Sequence, residues 1–95
     1  MNRFKLFWKQ DCPKCPAAKD VIQQLKLVGF HTMEHNLETS EGLAEAAFYS
    51  ILSTPSILLT DEKENLVAEW RNHIPTIDEA RSAAADETKQ HYENN

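Results

Sequence analysis

The hydrophobic pattern of this chain changes period at one place, and that place constrains the fold. From Arg3 to Trp8 charge and bulk alternate before the run turns aromatic, the pattern of a short strand. From Pro13 onward Ala18, Val21, Ile22, Leu25 and Val28 fall at helical spacing on one face, and Gly29 follows in the stop position. Between the two lies Asp11-Cys12-Pro13-Lys14-Cys15-Pro16. A strand running straight into a helix opens a βαβ unit, which commits the next strand to a parallel partner through a right-handed crossover.

The remaining segments complete one sheet. Phe30 to Leu37 reads as a strand whose His, Thr, Met and Glu suit an edge. Ser40 can cap a second helix carrying Leu43, Ala44, Ala47, Phe48 and Ile51 on its inner side. After Ser53-Thr54-Pro55-Ser56, the run Ile57-Leu58-Leu59 is apolar enough for a buried strand, with Pro55 at its start, where a missing N–H does least harm. A charged turn over 61–65 leads into a returning strand, Leu66 to Arg71. Thr76 and Glu79 form a capping-box signature for a last helix through Ile77, Ala80 and Ala84. The expected architecture is α/β, in the order βαβαββα, a four-stranded mixed sheet with helices on both faces.

A chain of 95 residues builds one core and not two. Its formal charge of −5 removes the electrostatic reason to expect nucleic acid or an anionic membrane as partner, and no run approaches a membrane span. The N-terminal residues lack an apolar stretch of signal-peptide length, so the expected location is the cytoplasm. Two cysteines are too few for a disulfide scaffold. A bridge between Cys12 and Cys15 closes so small a loop that it constrains the unfolded chain little, which points to chemistry, either redox or metal.

If the helix begins at the pair, Cys12 is its N-cap and Pro13 its first residue. The Cys12 sulfur then faces free amides and the positive end of the helix. Both favour thiolate, with Lys14 adding positive charge and Asp11 opposing it. Cys15, further into the turn and more enclosed, suits a resolving thiol. Pro16 removes an amide that would bond the Cys12 carbonyl and loosens the first turn, with regular helix starting near Ala17.

Together these residues resemble the thioredoxin fold in its short, glutaredoxin-like form. The resemblance rests on a first strand ending in Cys-Pro-x-Cys, a βαβ unit, Thr-Pro opening the third strand, then a hairpin and a closing helix. It covers about residues 3–85, which sets a domain over 1–85 and leaves 86–95 as a polar tail or the end of the last helix. It implies a thiol-disulfide oxidoreductase in which Cys12 attacks and Cys15 resolves. Pro55 would be a cis proline beside them, and the Thr54 backbone would hold an extended substrate segment. Lys9, Pro13 and Lys14 complete the expected substrate-binding set. Lys9 matches the basic residue that glutaredoxins place near the glutathione carboxylate, but their Gly-Gly-Asp-type segment is replaced by Trp70-Arg71-Asn72-His73-Ile74-Pro75. Thioredoxins proper carry a buried Asp on the preceding strand, where this chain has Leu6.

The resemblance implies a protein disulfide as substrate, an electron source in thioredoxin reductase or glutathione, no resident cofactor and a monomer. An electron-donor role toward enzymes such as ribonucleotide reductase fits the nearest subfamilies. Three rivals stand beside it. A zinc module could pair the cysteines with His31 and His35, although four strand residues separate those histidines by roughly 13 Å. An iron–sulfur cluster could be shared by two chains through Cys12. A redox-inert adaptor could dock a partner through Trp8 or Trp70.

Overall fold

The computed structural model describes residues 2–93. The elements are β1 (Arg3–Trp8), α1 (Cys15–Leu27), β2 (His31–Asn36), α2 (Ser40–Phe48), β3 (Ser56–Thr60), β4 (Leu66–Arg71) and α3 (Ile77–Glu93). The sheet order is β2-β1-β3-β4, so β2 lies at an edge, as its mixed composition predicts, and β1 is central. β1 pairs parallel with β2 and antiparallel with β3, and β3–β4 is the antiparallel hairpin. α3 takes in residues 86–93 of the polar C-terminal segment, and positions 94 and 95 lie outside the described residues. Among the described residues no helix is long and apolar enough to cross a membrane.

Alternation along the strands sorts the core into two layers. Phe4 and Leu6 of β1 join Ile57 and Leu59 of β3 under Ala18, Ile22 and Leu25 of α1 and Ala80 and Ala84 of α3. On the opposite face Phe7 and Leu58 meet Ala46, Tyr49 and Ile51, in and after α2. Fully burying a side chain of Leu or Phe size contributes about 1.5–3 kcal/mol, so β1 and β3, which both present such residues to both layers, are the best-anchored strands.

Three local signals decide the helix ends. Gly29 follows α1 with φ 103°, a left-handed value that glycine adopts without steric cost. The box at α3 is closed reciprocally: Glu79 N–H donates to Thr76 Oγ1, and Thr76 N–H donates to Glu79 Oε1, both at 3.0 Å. At α2 the cap is Thr39 and not Ser40. Thr39 has extended backbone and its Oγ1 accepts from Gly42 N–H at 3.0 Å.

The inner face of α2 also departs from the sequence reading. Gly42 and Ala46 are buried, whereas Leu43 and Phe48 are 57% and 71% exposed and only Ile51 of the expected set faces inward. Close approach explains the choice of face. A Cβ on Gly42 would lie 1.9 Å from the Asn36 carbonyl oxygen, so only a glycine lets α2 sit this close to the end of β2. That seating also carries Glu45 to Lys5.

Lys5 is 1% exposed in the middle of β1. Its Nζ donates to Glu45 Oε2 at 2.6 Å, to Glu64 Oε1, and to the Tyr49 hydroxyl at 3.3 Å, and Arg3 pairs with the other oxygen of Glu64 at 2.6 Å. Burial works against the Lys5 charge, but the hydrogen bonds to Glu45, Glu64 and Tyr49 outweigh it and hold its pKa above the usual lysine value. The hydrogen bond from Lys5 in turn draws the Glu64 carboxyl below the usual glutamate range.

A carboxyl whose pKa is depressed by folding contributes stability that is complete above its unfolded value of about 4.3 and is lost as pH falls through the folded value. Urea midpoints recorded from neutral pH into the acid range are therefore expected to decline across that window. The decline should be shallower in Lys5→Met, where Glu64 has lost its ammonium partner. At neutral pH, Thr39→Ala is expected to cost about 1 kcal/mol by loss of the cap. Gly42→Ala should cost about 1–3 kcal/mol by forcing α2 off β2, both read by urea denaturation.

Candidate functional site

β1 ends at Trp8, whose carbonyl accepts from Leu37 N–H at 2.9 Å, and the chain leaves the sheet there. Gln10 N–H donates to Glu38 Oε1 at 3.0 Å, tying the departing loop to the segment after β2. Asp11 takes φ 56°, a left-handed value that Asp tolerates better than most residues, and turns the chain into Cys12. Cys15 N–H then donates to the Cys12 carbonyl at 3.1 Å, closing a tight turn over Cys12-Pro13-Lys14-Cys15. The two cysteines are joined in a disulfide, with their Cα atoms 5.3 Å apart.

The helix starts after Cys12 and before Ala17, between the two points the sequence reading offers. Lys14, not Cys12, is the N-cap and makes no side-chain cap bond, Cys15 is the first helical residue, and Pro16 follows in the first turn. The cause is Pro16. It has no N–H to give the Cys12 carbonyl, so that carbonyl is satisfied from Cys15 instead, and Cys12 is left outside the helix. The helix-end support expected for a Cys12 thiolate is correspondingly displaced toward Cys15. In the bridged state neither sulfur titrates.

Burial separates the two cysteines. Cys15 is 2% exposed, while Cys12 is only half-buried and meets solvent. Both line a shallow groove of about 300 Å³ with Trp8, Lys9, Gln10, Asp11, Pro16 and Lys19. Lys9 thus stands beside the disulfide. Pro13 and Lys14 are exposed on the turn between the two cysteines. The Thr54–Pro55 peptide is cis, with Pro55 buried and Thr54 half-buried. Ser56 pairs with Phe7, so Pro55 is level with Trp8, at the strand end from which the cysteine turn springs.

Sequence reasoning missed Lys19. Its Nζ lies 3.4 Å from the centroid of the Trp8 ring, a cation–π contact, and the signal that could have found it was its place one turn after Cys15. The residues named for the rival readings are placed as follows. His31 is exposed opposite Arg3, while His35 stacks on Phe7 with ring centroids 5.1 Å apart, on the side of the sheet away from α1. Burial holds the His35 pKa below the usual histidine value. Among the described residues no group of three or more His, Cys, Asp or Glu side chains is placed to hold a metal. Trp8 and Trp70 are both half-buried, and Trp70 stacks on Phe4 at 6.5 Å.

No protein-family model matches the chain. A probable thioredoxin of Archaeoglobus fulgidus is 33% identical over 63 residues, which cover 65% of this chain and 69% of that relative. Among solved structures, thioredoxin 1 of Thermosipho africanus superposes with a TM-score of 0.70 at 15% identity, over 98% of this chain and 99% of that one. Thioredoxin-2 of a malaria parasite, described as a component of the parasite's protein secretion machinery, gives a TM-score of 0.76 at 17% identity over 90% and 82% of the two chains. At these identities the structures speak to the fold.

The difference in burial has a direct chemical consequence once the bridge is opened. After mild reduction, a limiting amount of iodoacetamide should modify Cys12 well before Cys15, because alkylation needs an accessible thiolate. Mass spectrometry of the peptides checks this, and equal labelling of the two would contradict the asymmetry.

Proposed function

The chain belongs to the thioredoxin family, whose members are thiol-disulfide oxidoreductases, and from that premise we propose that it reduces disulfides in proteins by dithiol exchange. The observation that carries the reading is the asymmetric Cys12–Cys15 bridge after the end of β1, one cysteine half-buried and the other enclosed. In the reduced state the Cys12 thiolate attacks a substrate disulfide, forming a bond to one sulfur as the other leaves. Cys15 then attacks Cys12 Sγ, the reduced substrate departs, and the Cys12–Cys15 bridge remains. This chemistry uses the two cysteines and no resident cofactor.

The substrate would lie across the turn, against Pro13 and Lys14, with the backbone at Thr54 and cis Pro55 available to pair with an extended segment. We assign the electron source to a thioredoxin reductase. The thioredoxin relative favours this, and so does the sequence after β4, which lacks the Gly-Gly-Asp-type segment of a glutathione site. One observation keeps glutathione as a second reading: Lys9 lines the groove beside the disulfide, where a glutathione carboxylate could reach it. Enzymes that form a disulfide at each turnover, ribonucleotide reductases among them, are the substrate class we propose. The setting is a reducing compartment such as the cytoplasm, and the chain acts as a monomer.

Reduction of a disulfide-bonded protein is expected with a thioredoxin reductase and NADPH supplied, and less with glutathione and its reductase. Cys12→Ser should abolish turnover. Cys15→Ser should accumulate a substrate adduct visible on a non-reducing gel. Full activity without Cys12 would sink the mechanism, and a preference for glutathione would reverse the choice of reductant.

A further inference from the structure

The exchange proposed above, on which this inference rests, requires an enclosed thiol to become a nucleophile. Cys15 is 2% exposed, and burial disfavours a thiolate. Thioredoxins proper place a buried Asp on the preceding strand, but the matching Leu6 is apolar and 0% exposed. The start of α1, where Cys15 is the first helical residue, gives a charge on its sulfur part of the support it needs, and a cation beside it would add to it.

The ionisable side chains that line the groove beside the cysteines are Lys9, Asp11 and Lys19. Lys9 and Asp11 are exposed on the loop before Cys12, as is Lys14 on the turn. Lys19 is held differently. It is half-buried and lies one turn after Cys15 on the same face of α1. Long helical side chains lean back toward the N-terminus, and Lys19 lines the groove together with Cys15 and Pro16. Its ammonium sits 3.4 Å from the Trp8 ring centroid. Trp8 is itself fixed at the end of β1 by register with Asn36 and by the Leu37 N–H bond to its carbonyl. The ring therefore anchors the cation at the groove wall rather than in bulk water.

We infer that Lys19, held on Trp8, is the cation that favours the Cys15 thiolate in the resolving step. In that step Cys15, its proton given to solvent, forms a bond to Cys12 Sγ as the bond between Cys12 and the substrate sulfur breaks. The electron pair leaves on the substrate sulfur, which takes a proton from solvent. The dithiol loses two electrons and the substrate disulfide gains them. Asp11, the acidic residue lining the groove, opposes Lys19 from the exposed side, where solvent screens it more strongly.

The test uses Lys19→Met, which keeps a stem that can lie on Trp8, with Lys19→Gln as a second neutral variant and Lys19→Arg as the charge-keeping control. In the reduced Cys12→Ser chain Cys15 is the single thiol, and its alkylation rate against pH reports its titration. The midpoint is expected to rise by about one unit in both neutral variants and to return in Lys19→Arg. In chains with both cysteines, release of the substrate from the mixed disulfide at neutral pH should slow about tenfold in Lys19→Met and recover in alkali. Unchanged midpoints in the neutral variants, or failure of arginine to restore them, would overturn the inference. The titration of Cys15 needs no substrate, so it is readable even if the wild-type chain fails to reduce any protein disulfide, an outcome that would refute the proposed function instead.

Discussion

β1 is covered on both faces, and the position of the disulfide follows from that. Phe4 and Leu6 are sealed under α1 and α3, while Lys5 and Phe7 are sealed under α2. Hydrogen-bonded neighbours on both sides fix its register as well. A strand with no free face and no free edge cannot slip without exposing a full set of side chains. The cysteine turn begins four residues after its last member, Trp8, and Pro55 precedes the strand that pairs with it. The site is thus built from chain ends that share one rigid strand, which is how a small domain can hold a sulfur pair in fixed relation to the Thr54–Pro55 backbone.

The electrostatics of β1 are divided along its length. Its buried charge, Lys5, is spent on α2, through Glu45, and on the turn before β4, through Glu64. Breaking such a pair leaves an uncompensated charge under a helix, so the cluster fixes where α2 sits more than it adds net stability. The position facing α1, where thioredoxins proper have an acid, is Leu6, part of the apolar core. Nothing ionisable from the strand interior therefore lies under the cysteines on that side. The charged groups around them come from the loop before Cys12, from the turn and from α1, all nearer to water.

How much of this could be read from the sequence depended on whether the signal was local. The capping box at Thr76 and Glu79, the glycine after α1 and the edge character of β2 each depend on residues close in sequence, and the structure realises them. The face of α2 did not follow from its own apolar residues, because the deciding contact was Gly42 against the Asn36 backbone, with Glu45 reaching Lys5. Hydrophobic periodicity gives no weight to a glycine and counts a glutamate as outward. The α1 start was legible in part. The missing Pro16 amide could be read from the sequence, but the point where the helix begins rests on the bond from Cys15 N–H to the Cys12 carbonyl. Lys5 looked like the polar member of an alternating strand, and becomes a core residue because α2 covers the second face.

The net charge of −5 also means something narrower than the sequence alone implied. At physiological ionic strength charges are screened over about 8 Å, so a substrate already in contact with the turn responds to nearby groups and hardly to the total. Those groups are mixed: Lys9 and Lys19 in the groove, Lys14 on the turn, Asp11 between them and Glu38 bound to the loop. The acidic excess lies elsewhere, on Glu34, Glu41, Asp61, Asp78 and their neighbours. A basic partner surface would thus be attracted from a distance and at low salt, where the whole-molecule field is felt. At the turn itself such a surface would meet three lysines, Lys9, Lys14 and Lys19, beside Asp11 and Glu38, a balance opposite in sign to that of the whole chain. Net charge acts on encounter and nearby charges act at contact, so the two can carry opposite signs because they act at different ranges.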